Sequence, residues 1–214
     1  MRPANTLRYV SMQTAVTHRG RQPSPDTEEA ILEATREILA TAGVQGLTIE
    51  GVAARSGVAK TTIYRRWRSK HDLALAVLFV MVEQQVQSSH DLGDTRAELI
   101  AFVNRAIKIL NTTLMGRVMQ GLVSDLAADP ELAKAFRERV VTRRVEELSR
   151  ILQRGIERGN IRRDADIDIA NELLFGPVYY RLFLNGKPLN KDFAERAVDA
   201  FMAYTRAGRG APKR

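Results

Sequence analysis

The side chains best equipped for chemistry cluster between Thr48 and Lys70. Lys60, Thr61, Thr62, Tyr64, Arg65 and Arg66 crowd together, and no acid occurs from 51 to 71. Donor-rich side chains with no carboxylate among them suit a polyanion. Arginine forks onto the O6 and N7 of guanine, whereas lysine, threonine and tyrosine hold phosphate oxygens. A helix N-terminus also favours phosphate, and Thr48 and Lys70 each stand at one. Catalysis is poorly supplied by comparison. His18, His71 and His90 form no ligand-spaced pair, and no glycine-rich loop follows a strand. Asp164, Asp166 and Asp168 imitate a Ca²⁺-ligand run but lack the glycine and distal glutamate of an EF-hand loop. They read as a helix start. No catalytic residue, metal site or cofactor is expected, and the chain does not read as an enzyme.

Donors reach a groove only if rigid elements present them. Thr48 reads as the cap of a short helix that Gly57 ends, with Val58 plugging the turn. A further helix is expected over 60–67, with Ile63 and Trp67 turned inward one turn apart. Two short helices joined by a glycine-containing turn make a helix-turn-helix, whose second member fits the major groove. Ser24-Pro25, followed by Asp26, Glu28 and Glu29, opens a preceding helix that carries Ile31, Ala34, Ile38 and Ala42 on one face. Gly43 is its left-handed stop. Ser69 and Asp72 have capping-box spacing and start a helix over 72–90. The helical pattern continues over 95–110 and 113–127, then in a long helix from Asp129-Pro130 to near Gly159. Asp166 and Asn190 read as caps of the last two helices, 167–185 and 191–207, and Gly176-Pro177 is expected to bend the first of them. No alternating strand pattern is present. The fold class is all-α, with about nine helices. The expected organisation is a flexible basic arm (1–23), a helix-turn-helix domain (24–71), a ligand-binding and dimerisation domain (72–207) and a basic tail (208–214). Met1 and Met12 are both candidate starts.

Charge points the same way. The net charge is +8, and the segments 1–25, 51–71 and 200–214 hold lysine and arginine but no acid. Outside them the acids outnumber the bases, so a polyanion would meet one end of the molecule. Cysteine is absent, which excludes a disulfide framework and thiolate metal sites. The longest apolar run, 73–82, is half the ~20 residues that a membrane-spanning helix needs. A cytoplasmic protein with no membrane partner is expected.

The run Thr48-Ile49-Glu50-Gly51-Val52-Ala53-Ala54-Arg55-Ser56-Gly57-Val58-Ala59-Lys60-Thr61-Thr62-Ile63-Tyr64-Arg65-Arg66-Trp67, then Ser69-Lys70, resembles the DNA-binding domain of the TetR family of transcriptional regulators. The match is dense over 27–80. More loosely, Gly121-Leu122-Val123-Ser124-Asp125 and Gly176-Pro177-Val178-Tyr179-Tyr180-Arg181 resemble the C-terminal domain of one actinobacterial-type branch of that family. The resemblance implies DNA contacts from Thr48, Lys60, Thr61, Thr62, Tyr64, Arg65, Arg66 and Lys70, with Tyr64 and Lys70 on phosphate. Two departures stand out. Ala59 occupies a position where serine or threonine often caps the recognition helix, and Arg68 replaces a frequent proline.

The resemblance also implies a homodimer built from the last two helices, with Leu174, Val178, Leu182, Phe193, Ala197 and Phe201 as candidate contacts. Phe102, Ile109, Met115, Met119, Leu122, Phe136 and Tyr179 are candidate linings of a small-molecule cavity, the methionines adapting to varied shapes. Asp125 is either a polar group inside it or a surface residue, and His71 reads as solvent-exposed. The implied function is a dimeric repressor that an unidentified small-molecule inducer releases from a palindromic operator in double-stranded DNA. Helix 72–90 would be the lever between the two. A ligand-independent activator or architectural protein of the same fold is the alternative.

Overall fold

The structure, a computed structural model, describes residues 25–84 and 90–205. The basic arm and tail expected at the two ends, and the cap expected at Ser24, lie outside those residues. Within them every regular element is helical: α1 (Pro25–Ala42), α2 (Ile49–Ser56), α3 (Lys60–Tyr64), α4 (Lys70–Gln84), α5 (Thr95–Thr112), α6 (Leu114–Ala128), α7 (Pro130–Phe136), α8 (Thr142–Glu157), α9 (Ile167–Tyr180) and α10 (Lys191–Thr205). A π-helical turn, Arg137–Val141, joins α7 to α8, and a second, Arg181–Asn185, extends α9.

The caps are where the residue types demand them. Ser69 and Asp72 satisfy each other's backbone N–H groups at 3.1 Å, a reciprocal capping box. Asp129 accepts from the N–H groups of Glu131 and Leu132, Asp166 from those of Asp168 and Ile169, and Asn190 from that of Phe193. Gly43 has φ +64°. Two boundaries differ from expectation. α3 stops at Tyr64 rather than running to Trp67, and α4 is described to Gln84, while His90, expected as its last residue, is not helical.

The long rod after Asp129 is not a uniform helix. Apolar and stem-bearing residues recur there every fourth position: Leu132, Phe136, Val140, Arg144, Leu148. In an α-helix that spacing drifts by ~40° per step. The wider turn at Arg137–Val141 offsets the drift, so the row from Leu132 to Leu148 stays turned toward the body of the protein.

Two apolar clusters hold the helices. The first joins α1, α2, α3 and α4 to α6 and α7 through Leu39, Val52, Ile63, Trp67, Leu78 and Leu122. The second joins α5, α8, α9 and α10 through Leu99, Phe102, Leu148, Phe175, Val198 and Phe201. α4 is buried on every side from Leu73 to Phe79, because it sits between α1, α6 and α7. A polar staple crosses the second unit. Glu98, 3% exposed, accepts hydrogen bonds from Arg154 and Arg158 and ties α5 to the end of α8. Two glycines allow close approach. A Cβ on Gly116 would lie 2.4 Å from the carbonyl oxygen of Ile109, and one on Gly121 would lie 2.7 Å from Cγ2 of Val44.

Candidate nucleic-acid interface and internal cavity

The acid-free segment folds as α2, a turn and α3. Thr48 caps α2, its hydroxyl accepting from the Gly51 N–H at 3.0 Å. Gly57 closes that helix in the left-handed region, φ +71°, where a side chain would be strained. Val58 packs against the core from the turn. Ile63 and Trp67 are buried and hold α3 by its inner side, although Trp67 lies beyond the helix end. Lys60, Thr61, Tyr64 and Arg65 are left exposed on the outer side, with Thr62 half-buried between them. The cap of α3, Ala59, makes no side-chain hydrogen bond.

Several of the eight candidate contacts have work inside the protomer. Thr48 is a helix cap. Arg66 pairs with Glu28 of α1 at 2.6 Å and lies 5.6 Å from the centroid of the Trp67 ring. The Lys70 ammonium donates to the Val44 carbonyl at 3.5 Å, docking the start of α4 on the loop after α1. Lys60 also has a counterion, Glu50, at 3.2 Å, with both side chains exposed. The Glu50 carboxyl is held below its usual value, first by its own backbone N–H and then by Lys60. Neither glutamate is marked by its spacing, because Glu28 and Glu50 meet their partners only through the packing of α1, α2 and α3.

A cavity of about 370 Å³ lies between α5, α6, α8 and α9, within the ~300–1,000 Å³ range of small-molecule sites. Phe102, Ile109, Met115, Met119 and Tyr179 line it. Leu122 and Phe136 do not, which corrects the expectation for those two. Leu122 lies on the side of α6 turned to α1 and α4 and is wholly buried there, and Phe136 packs against the same cluster from α7. The wall contains residues that periodicity did not suggest: Val82, Phe175 and the charged groups of α5 and α8. Arg105 and Glu147 form an ion pair across it. Arg144 donates to Asn171 Oδ1 at 3.0 Å and to the Tyr179 hydroxyl, with its guanidinium 4.1 Å from the Phe175 ring centroid. In a sequence, arginines on a helix rich in arginine read as a solvated face.

Asp125 is neither in the cavity nor alone. It stands 3.4 Å from His71, so His71 is a half-buried link between α4 and α6 rather than a solvent-exposed residue. The candidate dimer contacts need a larger correction. Leu174, Val178, Phe193 and Phe201 are buried within the protomer in the second cluster, and Leu182 and Ala197 pack against it. Those positions fill the core because α9 and α10 must first cover α5 and α8. The outer side of α9 instead shows Ile169 and Leu173, each 40% exposed, Tyr180 at 56% and Leu184 at 75%.

A surface of cations and hydroxyls on a helix-turn-helix stands on a helical body that contains a cavity partly open to solvent. The family model for bacterial regulatory proteins of the tetR family matches residues 31–77, and that for the tetracyclin repressor-like C-terminal domain matches residues 89–201. The chain belongs to the TetR family of transcriptional regulators. The crystal structure of the TetR family transcription regulator SCO0332 superposes with a TM-score of 0.68 at 34% identity, covering 83% of this chain and 97% of that one. The DNA-binding transcriptional repressor TetR of Mycobacteroides abscessus is 29% identical, covering 79% of this chain and 88% of the relative. FadR of Bacillus subtilis, a transcriptional regulator solved in complex with stearoyl-CoA, has the same fold, with a TM-score of 0.62 at 19% identity over 82% of this chain and 98% of that one. Among the described residues no helix is long and apolar enough to cross a membrane, and no cluster of three metal-ligating side chains occurs.

Proposed function

We propose that this TetR-family regulator is a dimeric repressor that reads a palindromic operator and leaves it when a small molecule fills the cavity. The exposed row Lys60, Thr61, Tyr64 and Arg65 on α3 carries this reading. Those side chains sit on a helix fixed from beneath by Ile63 and Trp67, as a reader of base edges must be. Residues 24–71 form the DNA-binding unit and 72–207 the unit that binds ligand and partner. Thr62 completes the groove-facing set, while Thr48, Arg66 and Lys70 support it from their contacts with α1, α2 and the loop between them.

The dimer sets the spacing. Two copies must hold their α3 helices one turn of DNA apart, ~34–36 Å. The apolar outer side of α9 is a surface that a second copy would cover. A ligand that prefers a different separation lowers operator affinity by its differential binding to the two states. α6 supports such coupling, since Met115 and Met119 line the cavity while Gly121 and Asp125 of the same helix meet Val44 and His71.

Selection of bound DNA from a random pool tests the reading. An inverted repeat is expected. Recovery of no preferred duplex over genomic competitor would overturn it.

A further inference from the structure

The cavity pairs an apolar interior with a cation that the protein leaves without a counterion. Its α5, α6 and α9 walls are Phe102, Ile109, Met115, Met119, Phe175 and Tyr179. Of the charged groups on it, Arg105 is neutralised by Glu147. Arg143, Glu146 and Arg150 are exposed at its α8 side, where solvent screens them. Arg144 differs from all of these. It is half-buried, and its partners are the Asn171 amide oxygen, the Tyr179 hydroxyl and the faces of the Phe175 and Tyr179 rings, all of them neutral. No carboxylate among the described residues lies within ion-pair distance of it.

A guanidinium withdrawn from water is costly unless it is paired. Here neutral hydrogen-bond acceptors and ring faces only partly replace its hydration. Two of its five donors are used on Asn171 and Tyr179, and a fork of N–H groups matches a carboxylate. The Tyr179 oxygen accepts from Arg144, which leaves the hydroxyl proton available to a second acceptor.

We propose that the cavity selects an organic anion, a single acidic head on Arg144 and Tyr179 with an apolar body against Phe102, Met115, Met119 and Phe175. The proposal rests on the reading of this cavity as the ligand site and adds the class of ligand. A neutral molecule of the same shape leaves the guanidinium unpaired, and a cation meets like charge.

The test is displacement of a neutral fluorescent probe, N-phenylnaphthylamine, from the full-length protein without DNA. Three competitors share one chain and differ in the head: decanoate, decanamide and decyltrimethylammonium. Decanoate is expected to displace the probe at a concentration about tenfold or more below decanamide, with the cation weakest. In Arg144→Met the gap between decanoate and decanamide closes, and in Arg144→Lys a preference for decanoate returns. Tyr179→Phe, which keeps the ring, narrows the gap and guards against an unstable Arg144 variant.

Equal displacement by decanoate and decanamide in the native protein, or a gap that survives in Arg144→Met, would overturn the proposal. So would a native protein from which decanoate displaces no probe. Operator affinity is measured separately. Decanoate that binds with the Arg144-dependent preference and leaves operator affinity unchanged supports the anion assignment while ending the induction reading.

Discussion

Arg65 and Arg66 are adjacent in sequence and carry the same charge, yet their surroundings separate their roles. Arg66 reaches back to Glu28, and the other Glu28 carboxylate oxygen is buried without a hydrogen-bond partner. Replacing Arg66 with alanine therefore removes a cation paired with this acid. Arg66→Ala is expected to lower stability by on the order of 1 kcal/mol, seen in thermal unfolding, along with DNA affinity. On the proposed reading, Arg65→Ala is expected to lose roughly 1–3 kcal/mol more on operator than on random DNA. Equal losses on the two DNAs would make Arg65 a phosphate clamp. Lys60 gives a third outcome at this scale. With Glu50 beside it, part of its charge is spent within the protein. Glu50→Gln is expected to tighten binding to operator and random DNA alike, with a steeper salt dependence in a filter or shift assay. A flatter slope would show that Lys60 does not face phosphate. The exposed residues of this site were legible from type and spacing. Their internal counterions were not, because Glu28 and Glu50 lie far along the chain from their partners.

α6 is the element on which the two units meet. One side of it lines the cavity with Met115 and Met119, and Leu122 and Gly121 press on the first core. At Gly121 the loop after α1 comes so near that a methyl group would overlap Val44. Gly121→Ala is expected to destabilise the protein by ~1–3 kcal/mol, as overpacking does. Val44→Ala in the same chain should return much of that loss, and a double-mutant cycle by chemical denaturation measures the coupling. Additive effects would mean that α6 and the loop do not bear on each other. The sequence shows Gly121 as a helix-weakening residue and says nothing of Val44 lying over it. The π-helical turn at Arg137–Val141 was equally hidden. Periodicity finds an inward row there, but only packing decides that the turn widens to keep Arg144 on it.

At the scale of the whole molecule, the question is which surface meets a second copy. Ile169, Leu173, Tyr180, Phe183 and Leu184 form an exposed apolar stripe along α9 and its π-helical extension, with Gly176 and Pro177 exposed between them. Stripes of this kind are rarely left to water. Leu173→Asp combined with Tyr180→Asp is expected to give a monomer by sedimentation, with unchanged helical content and operator affinity reduced by two orders of magnitude or more, since avidity from two half-sites is lost. A double variant that stays dimeric would place the interface elsewhere. The exposed cations of α3 and the apolar stripe of α9 lie on different helices, so the proposed DNA contacts and the proposed dimer contacts draw on different residues.

The sequence alone determined most of the helices and the exposed cations and hydroxyls of α3, because both are local. Caps such as Thr48, Asp129 and Asp166 act within three residues, and the α3 face follows from which neighbours turn inward. It determined that α9 carries more apolar surface than one side of a helix can use. Tertiary structure decided how that surface divides: Leu174 and Val178 go to the protomer's own core, and Leu173 and Tyr180 go outward. It also decided that Leu122 and Phe136 belong to the first core and that Arg144 borders the cavity. The physical reason is that hydrophobicity fixes how much of a helix must be covered, while the neighbour that covers it depends on packing between segments distant in the chain.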